Sequence, residues 1–304
     1  MGFPESRRRP MLAFLSGISV VCFAASYAVA LACEVSRLVF RSGVRGMAMV
    51  GFAAAGLLAH TLFLVWRAVH ETSVPLSSPF DWYLLAAWTL AAVSLWLTFT
   101  MPRTPVGMFV LPVVLALVGA AELSSREPFP RSPATQVWGA IHGIFNLAAS
   151  VAVTLGAVAG LMWLIQAGRL ARKQAPQRGF RMPSLERLAL VTGRALAVAA
   201  WTATAGFVSG IVLNAVNRSH GLLETVPWTD PVVLRMAALV VWLIAADATA
   251  QTVRRRPHGP RVVAWLSLAS ALVLAVSILW GLLGPSRHGM PVAAADPQPS
   301  EAAP

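Results

Sequence analysis

The sequence predicts an all-α integral membrane protein, a bundle of about eight transmembrane helices. Hydrophobic residues make up 57% of the 304 residues and charged residues only 12%, and the mean hydropathy is +0.68. Eight apolar runs are long enough to cross the hydrocarbon core of a bilayer, and basic residues are concentrated between them. This composition excludes a soluble two-domain protein. No segment alternates with the period of two that a membrane β-barrel needs.

The apolar runs define the predicted spans in chain order. They cover residues 11–33, 46–69, 81–100, 105–122, 136–167, 188–214, 231–251 and 262–284. The fourth is the shortest and contains Pro112. The fifth is longer than a span requires, so its first turn, residues 138–142, is expected at or just outside the membrane surface. The spans are predicted to be helical because lipid offers no hydrogen-bond partner to an open strand.

The distribution of Lys and Arg predicts the orientation of the later spans. Connection 168–187 holds six such residues and connection 252–261 holds four, so both are expected in the cytoplasm. The connections at 70–80, 123–135 and 215–230 hold zero, two and one, and are expected outside. The net charge of +12 is explained by these loops, and no exposed basic stretch is interleaved with aromatic residues. A nucleic-acid partner is therefore not expected.

The two ends of the chain give weaker signals. Arg7, Arg8 and Arg9 before the first span are balanced by Arg37, Arg41 and Arg45 after it, so the later loops decide the orientation. An alternative signal peptide at 7–33 would have an apolar core longer than usual. The Ala/Pro-rich tail 290–304 is expected to be disordered. We divide the chain into residues 1–45 (tail, first span and basic loop), the transmembrane domain 46–289, and the tail 290–304.

Several ionisable residues lie within or beside the predicted spans, where charge is costly. Arg194 and Asp247 are expected at similar depth near the cytoplasmic side, which favours an interhelical ion pair. Arg67 and Arg235 are expected near the outer ends of their spans with no acidic residue close by. They either extend toward the membrane surface or hold an anion. The two cysteines lack the spacing of a disulfide framework or zinc site.

Two histidines are predicted at the outer membrane face, beside an outward loop that contains an aromatic residue. His142 and His288 lie at helix ends, and Trp228 and Asp230 belong to the loop. Together with Arg67 and Arg235 they fit the needs of haem: an axial imidazole on each side of the iron, apolar and aromatic surface for the macrocycle, and guanidinium groups for the propionates. Each residue also has an ordinary structural interpretation, as an interface histidine or as part of the aromatic belt.

Short motifs in the same order resemble the cytochrome c assembly membrane proteins, the CcsA/HemX-like family with a tryptophan-rich loop. They are residues 67–70, 75–78, 138–142, 183–186, 228–231 and 284–289. The resemblance extends over roughly 46–289, and eight spans suit its HemX-like branch. It implies haem b, a partner membrane subunit and an apocytochrome c.

Two departures from the family pattern weaken the expected haem site. Trp228 is the only tryptophan of its loop, and the stretch 248–251, where the family carries an inner histidine, has none. His60, seven residues before Arg67 and about 10 Å deeper by helical rise, is the possible inner ligand. The sequence therefore predicts at most one stably bound haem, at the outer face.

The sequence leaves three functions open. The first is a haem-handling protein of cytochrome c-type biogenesis in a bacterial-type inner membrane. It is expected to have no catalysis of its own, and membership of a cytochrome c synthetase (haem lyase) complex is one option. The second is a HemX-like regulatory or scaffold protein that does not bind haem. The third, a small-solute transporter, is disfavoured because the hydropathy pattern shows no internal repeat. Hydrolytic and redox enzymes are disfavoured because paired carboxylates and Ser-His-Asp order are absent from the sequence.

Overall fold

The computed structural model describes residues 19–39, 43–70, 76, 78–102, 104–127, 133–173, 182–220 and 227–283. These residues form eight helices. The helices are α1 (Val20–Val39), α2 (Gly43–His70), α3 (Pro79–Thr100), α4 (Val106–Leu123), α5 (Pro133–Ala171), α6 (Leu185–His220), α7 (Pro231–Val253) and α8 (Gly259–Leu283).

The predicted all-α membrane fold is confirmed. Seven of the helices, α2 to α8, are long and apolar enough to cross a membrane, and α1 contains a shorter apolar stretch, Val20–Ser36. The predicted span 11–33 overlaps α1 from position 20 onward, and its residues 11–18 lie outside the described residues. The expected tail 290–304 also lies outside them. Pro112 is inside α4, as expected.

Two helix starts are fixed by local sequence. Ser78 is the N-cap of α3: its hydroxyl accepts from the Asp81 amide, and the Asp81 carboxylate accepts from the Ser78 amide. Asp230 is the N-cap of α7 and accepts from the Val232 amide at 2.8 Å. In both cases proline follows at the first helical position, where its missing N–H costs nothing.

The helices pack as two groups of four. Helices α1–α4, the amino-terminal half, surround a buried core that includes Phe23, Tyr27, Phe80, Leu84 and Leu90. Helices α5–α8, the carboxy-terminal half, surround a core rich in alanine. The halves meet where α3 and α4 contact α5. Val151, Leu155 and Val158 of α5 pack against the amino-terminal core.

Helices α5 and α6 are the longest, with 39 and 36 residues. By the helical rise they measure about 58 and 54 Å, well beyond the roughly 30 Å of a hydrocarbon core. Residues 138–142 are part of the continuous helix α5.

Consecutive helices run antiparallel, so the bundle has two distinct ends. The Asp81 end contains the starts of α1, α3, α5 and α7 and the ends of α2, α4, α6 and α8. The arginine-rich end contains the connections after α5 and α7, with described basic residues Arg172, Lys173, Arg254, Arg255 and Arg256. By the distribution of positive charge, the arginine-rich end is expected in the cytoplasm.

Candidate functional site

The first turn of α3 lies at the centre of the Asp81 end. Its three consecutive residues Asp81, Trp82 and Tyr83 contact or face three different helices. Asp81 binds Arg67 of α2, and Trp82 packs on Gly143 of α5 so closely that a Cβ there would overlap its ring. Tyr83 lies near enough to the guanidinium of Arg235 in α7 to interact with it electrostatically. Arg67 and Arg235, two of the residues predicted at the outer face, therefore lie beside this helical turn.

Arg67 does not lack an acidic neighbour, and that part of the sequence prediction is wrong. Its Nε donates to Asp81 Oδ1 at 2.5 Å, and both side chains are largely buried. Asp81 thus serves the ion pair and the α3 cap at the same time. The signal was present in the sequence, because an acid in the first turn of the next span must lie at the same end as an arginine in the last turn of the preceding one.

His142 of α5 is held against α6 by hydrogen bonds. Its Nδ1 is 2.8 Å from the Gly206 carbonyl oxygen. Since a carbonyl can only accept, Nδ1 carries the proton, and Nε2 accepts from the Asn146 amide at 3.2 Å. A backbone acceptor on one ring nitrogen is the arrangement that orients metal-binding histidines. It equally satisfies an interface histidine with no ligand.

Two glycines of α6 make room for this cluster. A Cβ on Gly210 would lie 2.8 Å from the His142 ring, and a Cβ on Gly206 would lie 3.0 Å from Asn146 Oδ1. Their four-residue spacing is the small-residue pattern that lets membrane helices approach closely. This pattern could have been found in the sequence, as could Asn146, one turn after His142.

Arg235 is a half-buried cation of α7 that points into the bundle. Its Nη2 would lie 4.0 Å from a Cβ placed on Gly281 of α8. The guanidinium therefore extends from α7 toward α8 and toward Tyr83 of α3. Its Nη1 is buried and has no hydrogen-bond partner among the residues the structure describes. A buried guanidinium nitrogen without an acceptor is costly, and an anionic ligand would remove that cost.

The loop residues have unequal roles. Asp230 is buried, and its carboxylate caps α7, whereas the Trp228 side chain is 56% exposed. His288, the proposed second axial ligand, lies outside the described residues. The structure therefore groups His142, Arg67 and Arg235 at one end and gives Asp230 a structural function.

His60, the possible inner ligand, is enclosed in the amino-terminal half. Its ring stacks on Phe23 with 4.1 Å between centroids, and its Nδ1 is 3.4 Å from the Tyr27 hydroxyl. Its Nε2 is buried and, within the described chain, without a partner. A haem could reach this nitrogen only if the packing around it opened, because the ring is fully buried.

The predicted ion pair between Arg194 and Asp247 is not formed. Arg194 is exposed on the surface of α6, and buried Asp247 accepts a hydrogen bond from Gln251 at 2.7 Å. The predicted depths placed both residues toward the arginine-rich end, but the helical faces differ. Among the described residues, no group of three or more His, Cys, Asp or Glu side chains could hold a metal ion.

Fold and site together define a multi-pass helical membrane protein. Comparisons of the chain with models of protein families, with curated proteins and with solved structures found no match. The likeness to the cytochrome c assembly proteins therefore rests on the short sequence motifs.

Proposed function

We propose that this chain is a haem-handling membrane protein of cytochrome c-type biogenesis. It presents haem b at the outer face of a bacterial-type inner membrane, together with a partner membrane subunit that acts on an apocytochrome c. The observation that supports the proposal best is that Nη1 of Arg235 is buried and has no hydrogen-bond partner among the described residues, at the end of the bundle that also holds His142.

The described residues fit one side of such a site. His142 would provide an axial imidazole, with its ring oriented by the Gly206 carbonyl, once Asn146 releases Nε2. Arg235 would hold a propionate. Arg67 is a weaker candidate, because its Nε is engaged by Asp81. Bound haem would be held through its iron by His142 and, on the sequence assignment, by His288.

The HemX-like scaffold remains the second candidate, and one observation favours it. Both ring nitrogens of His142 already have hydrogen-bond partners, so this histidine is satisfied without a ligand. On this alternative, the Asp81 end binds another membrane subunit, and the protein purifies without haem.

The visible absorption spectrum of the full chain, purified in detergent with haem supplied, tests the proposal. A bis-imidazole haem gives a low-spin spectrum, and His142→Ala and His288→Ala should each shift or remove it. His258→Ala is the matched control, because that histidine is exposed at the arginine-rich end. If both ligand variants keep the spectrum and haem content of the unmodified chain, the assignment is wrong.

Retention of haem tests the propionate assignment. Arg235→Gln should lower haem content after dilution, whereas Arg194→Gln should not, because Arg194 is exposed toward the other end of the bundle. Pyridine-haemochrome quantification should give at most one haem per chain. Values near two, or loss of all haem in His60→Ala, would move the primary site to the interior.

Orientation is tested separately by labelling single cysteines in a chain with Cys22 and Cys33 replaced. Cysteines at 178 and 255 should react only after permeabilisation, and one at 126 should react in intact cells. Reversed labelling would place the proposed haem site on the cytoplasmic side.

A further inference from the structure

Helices α1 and α4 separate toward the Asp81 end and leave a groove of about 770 Å³. Nearer the arginine-rich end they are close, since a Cβ on Gly107 of α4 would lie 3.8 Å from Glu34 of α1. The volume is within the roughly 300–1,000 Å³ of small-molecule sites. We call this opening the α1–α4 groove.

The walls of the groove are apolar along most of its length. On α1 they are formed by Ala24, Ala25 and Ala28, and on α4 by Leu115 and Val118. The lining begins at position 19 and reaches position 28 of α1, a depth of about 13 Å by the helical rise. An apolar channel running inward from a helix start matches one acyl chain aligned with the helices.

The charged residues of the groove are confined to its rim. Arg67, Glu122 and Arg126 line it there, two cations and one anion. Both guanidinium groups lie over the Phe80 ring, at 4.9 and 4.6 Å from its centroid. Glu122 is already bonded to Arg126 at 2.8 Å, which uses one of the five N–H donors of that arginine. Arg67 is paired with Asp81, so the two guanidinium groups are balanced by two carboxylates. The rim therefore offers a phosphate the N–H donors of Arg126 that Glu122 leaves unused, rather than net charge.

We propose that the α1–α4 groove binds one anionic phospholipid, with its phosphate at the rim and one acyl chain between α1 and α4. Forked guanidinium groups match phosphate oxygens. The depth also fits, because the rim residues lie at helix ends, where headgroups of a bilayer are found. Of the residues assigned to haem only Arg67 lines the groove, whereas His142 and Arg235 do not. The tests below leave Arg67 unchanged, so their outcome does not depend on the proposed haem site.

Gly119 offers a direct way to fill the groove. It lines the groove, and a Cβ built on it meets nothing within 4 Å. Gly119→Phe should therefore occupy the channel without disturbing the fold. Gly51→Phe is the matched control: Gly51 is also exposed, has equally open surroundings and does not line the groove.

Native mass spectrometry of the full chain, titrated with phosphatidylglycerol or with phosphatidylcholine of the same acyl chains, measures the binding. One phosphatidylglycerol should bind several-fold more tightly than phosphatidylcholine. Gly119→Phe should weaken the binding of the first phosphatidylglycerol molecule about tenfold, and Gly51→Phe should leave that affinity unchanged. Equal affinity for the two lipids, or equal behaviour of the two glycine variants, overturns the proposal.

Charge variants test the rim. Arg126→Gln should weaken the binding of phosphatidylglycerol about threefold, a modest loss because solvent partly screens this exposed arginine. It should leave the binding of phosphatidylcholine nearly unchanged. Arg218→Gln is the control, an exposed arginine at the same end outside the groove. Glu122→Gln should strengthen phosphatidylglycerol binding. If Arg126→Gln and Arg218→Gln weaken binding equally, only diffuse surface charge attracts the lipid and the site is refuted.

Discussion

In the amino-terminal half, large side chains such as Phe23, Tyr27 and Leu90 fill the core. In the carboxy-terminal half, the core positions facing other helices are mostly alanine, at Ala149, Ala152, Ala199, Ala200 and Ala203. Large side chains keep helices apart, and the α1–α4 groove lies where α1 presents the small side chains of Ala24, Ala25 and Ala28. Small side chains let backbones approach, so van der Waals contact is distributed along whole helices.

The polar contacts that hold the helices together also differ between the two halves. The amino-terminal half uses a buried ion pair, Arg67 with Asp81. The carboxy-terminal half uses neutral hydrogen bonds, such as His142 to the Gly206 carbonyl. We therefore expect the first half to be most sensitive to loss of charge and the second to added volume.

The largest effect is expected from breaking the ion pair. Arg67→Gln should destabilise the protein by about 3 kcal/mol, because it leaves the Asp81 carboxylate buried without its cation. Unfolding in mixed detergent micelles measures this. Arg126→Gln is the control and should cost less than about 1 kcal/mol, because its pair with Glu122 is exposed. Similar losses in both variants would contradict the assigned importance of the buried pair.

An intermediate effect is expected from added volume in the carboxy-terminal half. A Cβ on Gly160 of α5 would lie 3.0 Å from the Ala264 carbonyl oxygen of α8, so Gly160→Leu should cost about 2 kcal/mol through forced separation of the helices. Gly168→Leu on the same helix is the control, since nothing lies within 4 Å of its Cβ. The same unfolding assay should separate the two variants clearly, and equal stability would argue against close α5–α8 packing.

The smallest effect is expected from a contact that both halves share. Trp88 Nε1 donates to Thr61 at 2.8 Å in the first half, and Trp242 Nε1 donates to Ser270 at 3.0 Å in the second. Thr61→Val and Ser270→Ala should each cost about 1 kcal/mol, the usual value of such interhelical hydrogen bonds. Trp88→Phe and Trp242→Phe, which remove the donors, are the partner variants. A loss in one half several-fold larger than in the other would show that even this contact depends on its surroundings.

The sequence predicted where each helix begins and ends better than it predicted which neighbouring helix a given side chain faces. Hydropathy placed seven helices correctly because the length of a span is set by the bilayer. The expected Arg194–Asp247 pair failed because shared depth does not bring two faces together. The acceptor of His142 was hidden for another reason: it is a backbone carbonyl, which every residue possesses. The Arg67–Asp81 pair could have been predicted, because both residues flank one connection.

The first turn of α3 also makes the bundle mechanically coupled. Successive residues of a helix point about 100° apart, so Asp81, Trp82 and Tyr83 face α2, α5 and α7 from one rigid turn. Rotation of α3 about its axis would disturb all three interactions together, because the Trp82 ring is packed directly on Gly143. A ligand bound to Arg235 would therefore change the electrostatic surroundings of Tyr83, in the same turn that holds the Arg67–Asp81 pair at the edge of the α1–α4 groove.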